Sequence, residues 1–159
     1  MAVAVSVLFV CLGNICRSPL AEAAFRAEAE RLGLEVEVDS AGTGNWHVGR
    51  PPDPRAQAVA ARNGADIADL RARQVTAADF ARFDRIVALD PQNLRDLRRL
   101  EPAGARAELS LLLDHVRGRE GTAVADPYYG DAQDFDAAWR DVAAGARALA
   151  ERIAGGPPA

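Results

Sequence analysis

The sequence predicts an α/β fold, a single domain in which helices cover both faces of a four-stranded parallel sheet. Short apolar runs rich in valine, leucine and isoleucine alternate along the chain with longer stretches that have helical periodicity. This alternation favours crossover connections, which make neighbouring strands parallel and bury both faces of the sheet. A length of 159 residues fits one domain, and no repeat, linker or low-complexity segment indicates a second.

The first elements frame a short loop. The apolar run at residues 3–10 predicts a buried strand, and apolar spacing predicts a helix over residues 18–32 that Gly33 ends. Apolar and charged residues alternate over residues 34–38, which predicts the second strand, and residues 40–44 predict a loop.

Caps and apolar periodicity predict the rest of the chain in the same way. The further predicted elements are a helix from Asp53 to about Gly64, a short helix for which residues 76–79 form the capping arrangement, a strand at 85–89, a helix that Asp90 caps, a strand within 108–116 whose apolar centre is 111–113, and a final helix carrying Phe135 to Ile153. We expect the domain to span residues 1–154 and a frayed tail at 155–159.

Composition narrows the function classes. The chain has 19 arginines and no lysine, its net charge is −4, and the arginines are dispersed, so we expect no nucleic-acid partner. A nucleotide-binding loop of the Walker type needs a lysine and is excluded. The apolar start lacks a basic flank and is too short to span a membrane. Cys11 and Cys16 are too close to staple a fold, so we expect reduced thiols and a cytoplasmic protein.

The loop after the first strand carries the chemistry. Gly13 and Asn14 readily adopt positive φ, and the amides of such a loop and of the following helix start converge on one point, as an oxyanion site requires. Pro19 fits the first helical turn, and Arg17 adds a two-pronged donor. Cys11 lies beneath, where amide dipoles and a guanidinium favour its thiolate. The loop therefore predicts a site that holds a tetrahedral oxyanion above a sulfur nucleophile.

The nine residues CLGNICRSP at positions 11–19 resemble the full signature of the low-molecular-weight protein tyrosine phosphatases. The residues DPYYG at positions 126–130 resemble the second motif of that family. A cysteine followed six residues later by an arginine would be a weak signal alone, but the two motifs together are specific. The resemblance covers residues 5–153.

This resemblance implies a protein tyrosine phosphatase that hydrolyses phosphotyrosine and small aryl phosphates through a phosphocysteine, with no cofactor and no metal. It implies that Cys11 attacks phosphorus, Arg17 holds the phosphate oxygens and Asp126 protonates the leaving phenolate. The other implied residues are a phosphate-binding loop of Leu12, Gly13, Asn14, Ile15, Cys16 and Arg17, the supporting Ser18 and Ser40, and the cleft walls Trp46, Tyr128 and Tyr129. The implied partners are phosphotyrosine-containing proteins, and we expect a monomer without membrane attachment.

Other functions fit the sequence less well. A module that binds phosphotyrosine without turnover has no use for Cys11 or Asp126, and arsenate reduction needs more thiols than two. Relatives that act on phosphoarginine carry threonine at the position of Ile15, so this isoleucine favours phosphotyrosine. Cys16 is either a core-facing thiol or a partner for a reversible disulfide with Cys11.

Several residues also have a purely structural interpretation. Asp90 and Ser18 could simply cap helices, and the two histidines, at positions 47 and 115, are interpreted as solvated loop residues. The aromatic residues proposed as cleft walls could instead be ordinary core or surface side chains. Some relatives carry a histidine at the position of Leu70 that braces Asn14, and leucine cannot donate that hydrogen bond, so the loop needs a different brace here.

Overall fold

A computed structural model describes residues 4–155 and has the predicted architecture. Its strands form one parallel sheet in the order β2-β1-β3-β4, which places β1 inside the sheet. The strands are β1 Val5–Cys11, β2 Val36–Gly42, β3 Arg85–Ala88 and β4 Glu108–Leu111. The start of the predicted first strand, at residue 3, lies outside the described residues.

Within residues 4–155, five α-helices and one 3-10 helix connect and cover these strands. They are α1 Arg17–Leu32, α2 Pro54–Arg62, α3 Asp79–Arg82, α4 Pro91–Leu100, the 3-10 helix Leu112–His115 and α5 Ala132–Ile153. Asp53, Asp90 and Asp131 cap α2, α4 and α5 by accepting bonds from main-chain amides of the first turn. Residues 156–159 of the predicted tail lie outside the described residues, and the boundary at residue 154 stays a prediction.

The side chains of β1 pack on both faces of the sheet, which confirms the predicted layers. Val7 and Phe9 belong to the core beneath α1, α2 and α5, whereas Leu8 and Val10 belong to the core beneath α3 and α4. All four side chains are completely buried. Because successive residues of a strand face opposite sides, a continuous apolar strand needs a cover on each face.

The second strand ends later than predicted. It continues to Gly42, which pairs with Cys11, so the predicted loop at residues 40–44 lies partly in the sheet. The alternation of the sequence stops at residue 38 because Ser40 and Ala41 are both buried and neither face is solvated. A Cβ atom at position 42 would lie only 2.7 Å from the Leu12 carbonyl oxygen, so this position needs glycine to approach the loop.

The fourth strand is shorter than predicted. Leu112 and Leu113 lie in the 3-10 helix rather than at the centre of a strand, although both are completely buried. Short apolar runs do not distinguish a buried strand from a buried helical turn, which explains the error. The turn of 3-10 helix presents Leu112 to the middle of α5.

The sheet places one loop at its centre. β1 ends at Cys11 and α1 begins at Arg17, so residues 12–16 lie beyond the carboxyl end of an inner strand. Ligands of open parallel sheets bind at this edge. The residues that follow β3 lie beside the loop, since β3 pairs with β1.

We predict that Gly145→Ala destabilises the protein. A Cβ atom at this position of α5 would lie 2.4 Å from Leu112 Cγ. Replacing a helical glycine by alanine ordinarily gains about 0.5–1 kcal/mol, but overpacking a core costs about 1–3 kcal/mol, so we expect a net loss of about 1–2 kcal/mol. Urea unfolding measures it. In a Leu112→Ala background the same change should cost nothing, and a loss there would contradict the steric explanation.

Candidate active site

The loop wraps around the sulfur of Cys11. Asn14 has a φ of 58° and is the one non-glycine residue with positive φ within residues 4–155. This conformation turns the Asn14 main-chain amide toward Cys11 Sγ, to which it donates at 3.3 Å. Ser18 Oγ lies 3.1 Å from the same sulfur. Cys11 is buried at the floor of the cavity that the loop encloses.

The side chain of Asn14 points away from the cavity and holds the loop from behind. Its amide nitrogen donates to Ser18 Oγ at 2.8 Å and to Ser40 Oγ at 3.0 Å, and its carbonyl oxygen accepts from the Arg73 main-chain amide at 3.0 Å. Since Ser18 Oγ accepts from Asn14, its own proton can point to the sulfur at 3.1 Å or to the Ala41 carbonyl at 3.4 Å. Leu70 is packed against the core, and the Arg73 amide serves as the different brace that the sequence required.

Glu22 extends this network below the loop. Its carboxylate accepts from Ser40 Oγ at 2.8 Å and from the Arg26 guanidinium at 2.9 Å, while Arg26 also donates to the Val38 carbonyl. Burial raises the pKa of Glu22, and the hydrogen bonds from Arg26 and Ser40 oppose that shift. The half-exposed Arg26 is thus connected to Asn14 in the loop through the side chains of Glu22 and Ser40.

The guanidinium of Arg17 is fixed at the wall of the cavity. Arg17 Nη1 donates to Asp90 Oδ2 at 2.7 Å and to the Val124 carbonyl at 2.9 Å, and Nη2 lies 3.6 Å from Asp126 Oδ2. Burial disfavours the charged guanidinium, but the negative charges of Cys11, Asp90 and Asp126 outweigh burial and raise the pKa of Arg17. Asp90 also caps α4 through the Asn93 amide, so the expected helix cap is at the same time the ion-pair partner of Arg17.

The cavity has a volume of about 360 Å³ and an aromatic mouth. Its lining residues are Cys11, Leu12, Gly13, Ile15, Cys16, Arg17, Trp46, His47, Asp126, Tyr128 and Tyr129. The Trp46 side chain is 67% exposed and that of Tyr129 is 96% exposed, so neither is a core residue. The Tyr128 and Tyr129 rings meet edge-on, with centroids 4.9 Å apart.

The two histidines differ from the solvated loop residues that we expected. His47 is half-buried in the cavity wall, with its ring centroid 6.2 Å from that of Tyr128. His115 lies in the 3-10 helix, where Nε2 is 3.0 Å from Ser110 Oγ and burial lowers the pKa to about 4. Sequence reasoning missed the surroundings of His47 because Tyr128 is far away in the chain, and those of His115 because residues 112–115 form a 3-10 helix rather than a loop.

Comparison with known proteins agrees with this geometry. The model of the family described as low molecular weight phosphotyrosine protein phosphatase matches residues 6–156. The chain belongs to this family. A member from Schizosaccharomyces pombe is 48% identical over 134 residues, which cover 82% of this chain and 85% of the relative.

Solved structures of the family are also similar to this member. The crystal structure of YfkJ from Bacillus subtilis has a TM-score of 0.89 and 39% identity, and the match covers 99% of each chain. The Drosophila arginine phosphatase has a TM-score of 0.87 and 31% identity, with coverage of 92% of this chain and 96% of the other.

In this family member every residue proposed for the site lies in one place. The proposed nucleophile, anion-binding arginine, acid and aromatic walls line the cavity, whereas Asn14, Ser18 and Ser40 lie behind the loop. Cys16 is buried as a free thiol, and burial raises its pKa, with Asp53 and Cys11 adding to the shift. Within residues 4–155 no helix could cross a bilayer, and no cluster of acidic, histidine and cysteine side chains could hold a metal.

Two residues that support the loop were assigned no role from the sequence. Glu22 and Arg73 contact the loop network through Ser40 and Asn14, which are far away from them in the chain. The signal that could have indicated Glu22 is its place four residues after Ser18 and four before Arg26, on the inner side of α1. Arg73 acts through a main-chain amide, which any residue except proline supplies.

We predict that the stability of Glu22→Gln relative to wild type rises with pH. A raised pKa means that native protein binds more protons than unfolded protein once the pH exceeds 4.5, the ordinary pKa of Glu22, so the free energy of unfolding of wild type falls there. Because glutamine does not titrate, position 22 contributes no such decrease to the free energy of unfolding of Glu22→Gln. Urea unfolding of both proteins from about pH 4 to about pH 7 measures the difference.

Asp79→Asn is the matched control for this prediction. Burial disfavours the Asp79 carboxylate, but bonds from Arg73 and Thr76 prevail and lower its pKa. Its contribution to stability is therefore present above the ordinary pKa and lost as the pH falls, so the stability of this variant relative to wild type should fall with rising pH. Equal slopes for the two variants would contradict the assignment.

Proposed function

We propose that this family member hydrolyses phosphotyrosine and small aryl phosphates through a phosphocysteine, with Cys11 as nucleophile, Arg17 as phosphate ligand and Asp126 as acid and base. One observation carries the assignment of roles. The sulfur of Cys11 and the carboxylate of Asp126 line the same cavity, and the Arg17 guanidinium lies between their segments, 3.6 Å from the carboxylate.

In the first step the Cys11 thiolate attacks phosphorus while the bond to the phenolic oxygen breaks. The electron pair of that bond goes to the leaving oxygen, which takes a proton from Asp126. The three remaining oxygens face the amides of residues 12–17 and the Arg17 guanidinium. These donors are fixed before substrate arrives, so charge that develops in the transition state meets a preorganised site.

In the second step water attacks the phosphorus of the phosphocysteine. Asp126, now ionised, takes a proton from that water, and the sulfur leaves as a thiolate while inorganic phosphate is released. Ser18 Oγ, 3.1 Å from the sulfur, donates its proton toward the developing negative charge. The bond from Asn14 occupies an acceptor position of the same hydroxyl, and a thiolate is a stronger acceptor for its proton than the more distant Ala41 carbonyl.

The shape of the cavity supports an aryl phosphate as substrate. Trp46 and Tyr128 offer flat apolar surfaces to the cavity, and Tyr129 packs edge-on against Tyr128. Ile15 faces the cavity with an aliphatic side chain and offers no polar partner for a guanidino group. The Drosophila arginine phosphatase has the same fold, so phosphoarginine is the competing substrate to be tested.

We further propose that the enzyme acts as a cytoplasmic monomer on phosphotyrosine proteins, without nucleic-acid or membrane partners and without a cofactor. Two free thiols, one of them the proposed nucleophile, support a reducing compartment. A net charge of −4 with dispersed arginines argues against a polyanionic partner. Sedimentation velocity at micromolar concentration measures the oligomeric state.

We predict that Cys11→Ser abolishes hydrolysis of a phosphotyrosine peptide, with a loss in kcat/KM of at least about 10³-fold, because serine is not ionised at neutral pH. For the wild type, the rate of phosphate release is also measured with a phosphoarginine peptide of otherwise identical sequence. Circular dichroism and thermal unfolding establish that the variant is folded. Turnover by Cys11→Ser near the wild-type rate would contradict the proposed nucleophile. Faster release by the wild type from phosphoarginine than from phosphotyrosine would overturn the proposed substrate.

We predict that Asp126→Asn binds inorganic phosphate more tightly but turns over more slowly. In the free protein the negative carboxylate lies 3.6 Å from Arg17 Nη2, so it repels a phosphate dianion and competes with it for the guanidinium. Removing its charge should lower the inhibition constant of phosphate about threefold to tenfold, while kcat/KM for phenyl phosphate falls about 10²- to 10⁴-fold. Asp136→Asn removes an equal charge from an exposed pair with Arg62 and should change neither constant. Weaker phosphate binding by Asp126→Asn would contradict the competition.

A further inference from the structure

Arg55 connects the two halves of the site without entering the cavity. Arg55 Nη2 donates to the Tyr128 carbonyl at 3.0 Å, and Nη1 donates to the Gly130 carbonyl at 3.2 Å. These two carbonyls belong to the turn over residues 126–130, which begins with the proposed acid. Arg55 itself belongs to the first turn of α2, on the other side of the mouth.

The other side of Arg55 is tied to the nucleophile loop. Its guanidinium pairs with Asp53, with Nε 3.0 Å from Oδ1 and Nη2 2.9 Å from Oδ2. The main-chain amide of Asp53 donates to the Ile15 carbonyl at 2.9 Å. The residues 53–55 therefore bridge the loop that carries Cys11 and the turn that carries Asp126.

Two aromatic rings further restrict the guanidinium. Arg55 Cζ lies 4.6 Å from the ring centroid of Phe135, which is buried at the start of α5, and 5.8 Å from that of Tyr128. Arginine can stack on rings while its planar fork donates in several directions, which lysine cannot do. The position of this half-exposed side chain is thus set by an ion pair, two carbonyls and two rings.

The turn over residues 126–130 is bonded internally, so it moves as a unit. Tyr128 N donates to Asp126 Oδ1 at 3.1 Å, and Gly130 N donates to the Pro127 carbonyl at 2.8 Å. Fixing the carbonyls of residues 128 and 130 therefore also fixes the Asp126 carboxylate relative to the sulfur. Proton transfer depends steeply on such placement.

We propose that Arg55 is a positioning residue for proton transfer, which holds the turn over residues 126–130 so that Asp126 reaches the leaving oxygen. This inference rests on the proposed role of Asp126. It assigns to Arg55 an effect on breaking the bond to the leaving group and none on the nucleophile. The effect must therefore depend on how much the leaving group needs a proton.

Two aryl phosphates separate these effects. p-Nitrophenolate is a weak base and leaves with little protonation, whereas phenolate is a strong base and needs the acid. For Arg55→Met we expect kcat/KM to fall about 10-fold or more with phenyl phosphate but about 3-fold or less with p-nitrophenyl phosphate. Arg55→Lys keeps a charge beside Asp53 but cannot donate to both carbonyls, so its loss with phenyl phosphate should be intermediate.

Arg62→Met is the matched control. Arg62 lies on the same helix and forms an exposed ion pair with Asp136 of α5, and we expect no change with either substrate. In an Asp126→Ala background, Arg55→Met should cause no further loss with phenyl phosphate, because the residue that it positions is gone. The rate of Cys11 alkylation by iodoacetate should be equal in wild type and Arg55→Met.

Several results would overturn the inference. Equal losses with the two substrates, a slower alkylation of Cys11, or a full effect of Arg55→Met in the Asp126→Ala background would each indicate general disruption of the site. If Arg55→Met does not fold, Arg55→Lys carries the same comparison. If Asp126→Ala itself lowers kcat/KM equally for phenyl phosphate and p-nitrophenyl phosphate, the proposed acid is wrong. If Asp126→Ala loses kcat/KM only with phenyl phosphate and neither Arg55 variant shows that loss, the role of Arg55 is refuted and the role of Asp126 stands.

Discussion

The left-handed conformation of Asn14 is the constraint on which the site depends. A loop that binds an oxyanion must turn its amides inward and leave them without internal partners, which is unfavourable in a ligand-free protein. A residue other than glycine whose main chain adopts this conformation is also strained unless its surroundings hold it. The hydrogen bonds of the Asn14 amide group to Ser18, Ser40 and the Arg73 main chain provide that support from the side opposite to substrate.

The same network explains why a carboxylate is buried beneath the loop. Ser40 Oγ donates to Glu22, which leaves its lone pairs to accept from Asn14, so the direction of each hydrogen bond in the chain is determined. A neutral apolar residue at position 22 would leave the Ser40 proton without this acceptor. Burying the ionised carboxylate is unfavourable, and the ion pair with the half-exposed Arg26 offsets only part of that cost, so the pKa of Glu22 stays raised. The buried carboxylate thus fixes the orientation of the Ser40 hydroxyl behind the loop that carries Cys11.

The sequence predicted those features that depend on neighbouring residues in the chain, and it failed for those that depend on contacts between distant segments. The strand, loop and helix around Cys11, and the caps at Asp53 and Asp90, follow from neighbouring residues, and the structure confirms them. The true end of β2 was missed because it is defined by pairing with β1, and the 3-10 helix after β4 because its burial against α5 resembles that of a strand. Side chains such as Glu22 and Arg55 acquire their role from partners that only folding brings near.

Cys11 and Asp126 lie far apart in the chain, so their relative placement depends on contacts between the two segments. β1 and α1 position Cys11, whereas the turn is held on one side through Val124, which bonds to Leu89 and Arg17, and on the other through Asp131, the cap of α5. The Arg17–Asp126 contact cannot hold the turn during reaction, because the phosphate takes over the same guanidinium. A restraint that persists when substrate binds must lie outside the cavity and contact main-chain atoms that do not take part in the chemistry. The bonds from Arg55 to the Tyr128 and Gly130 carbonyls meet both conditions.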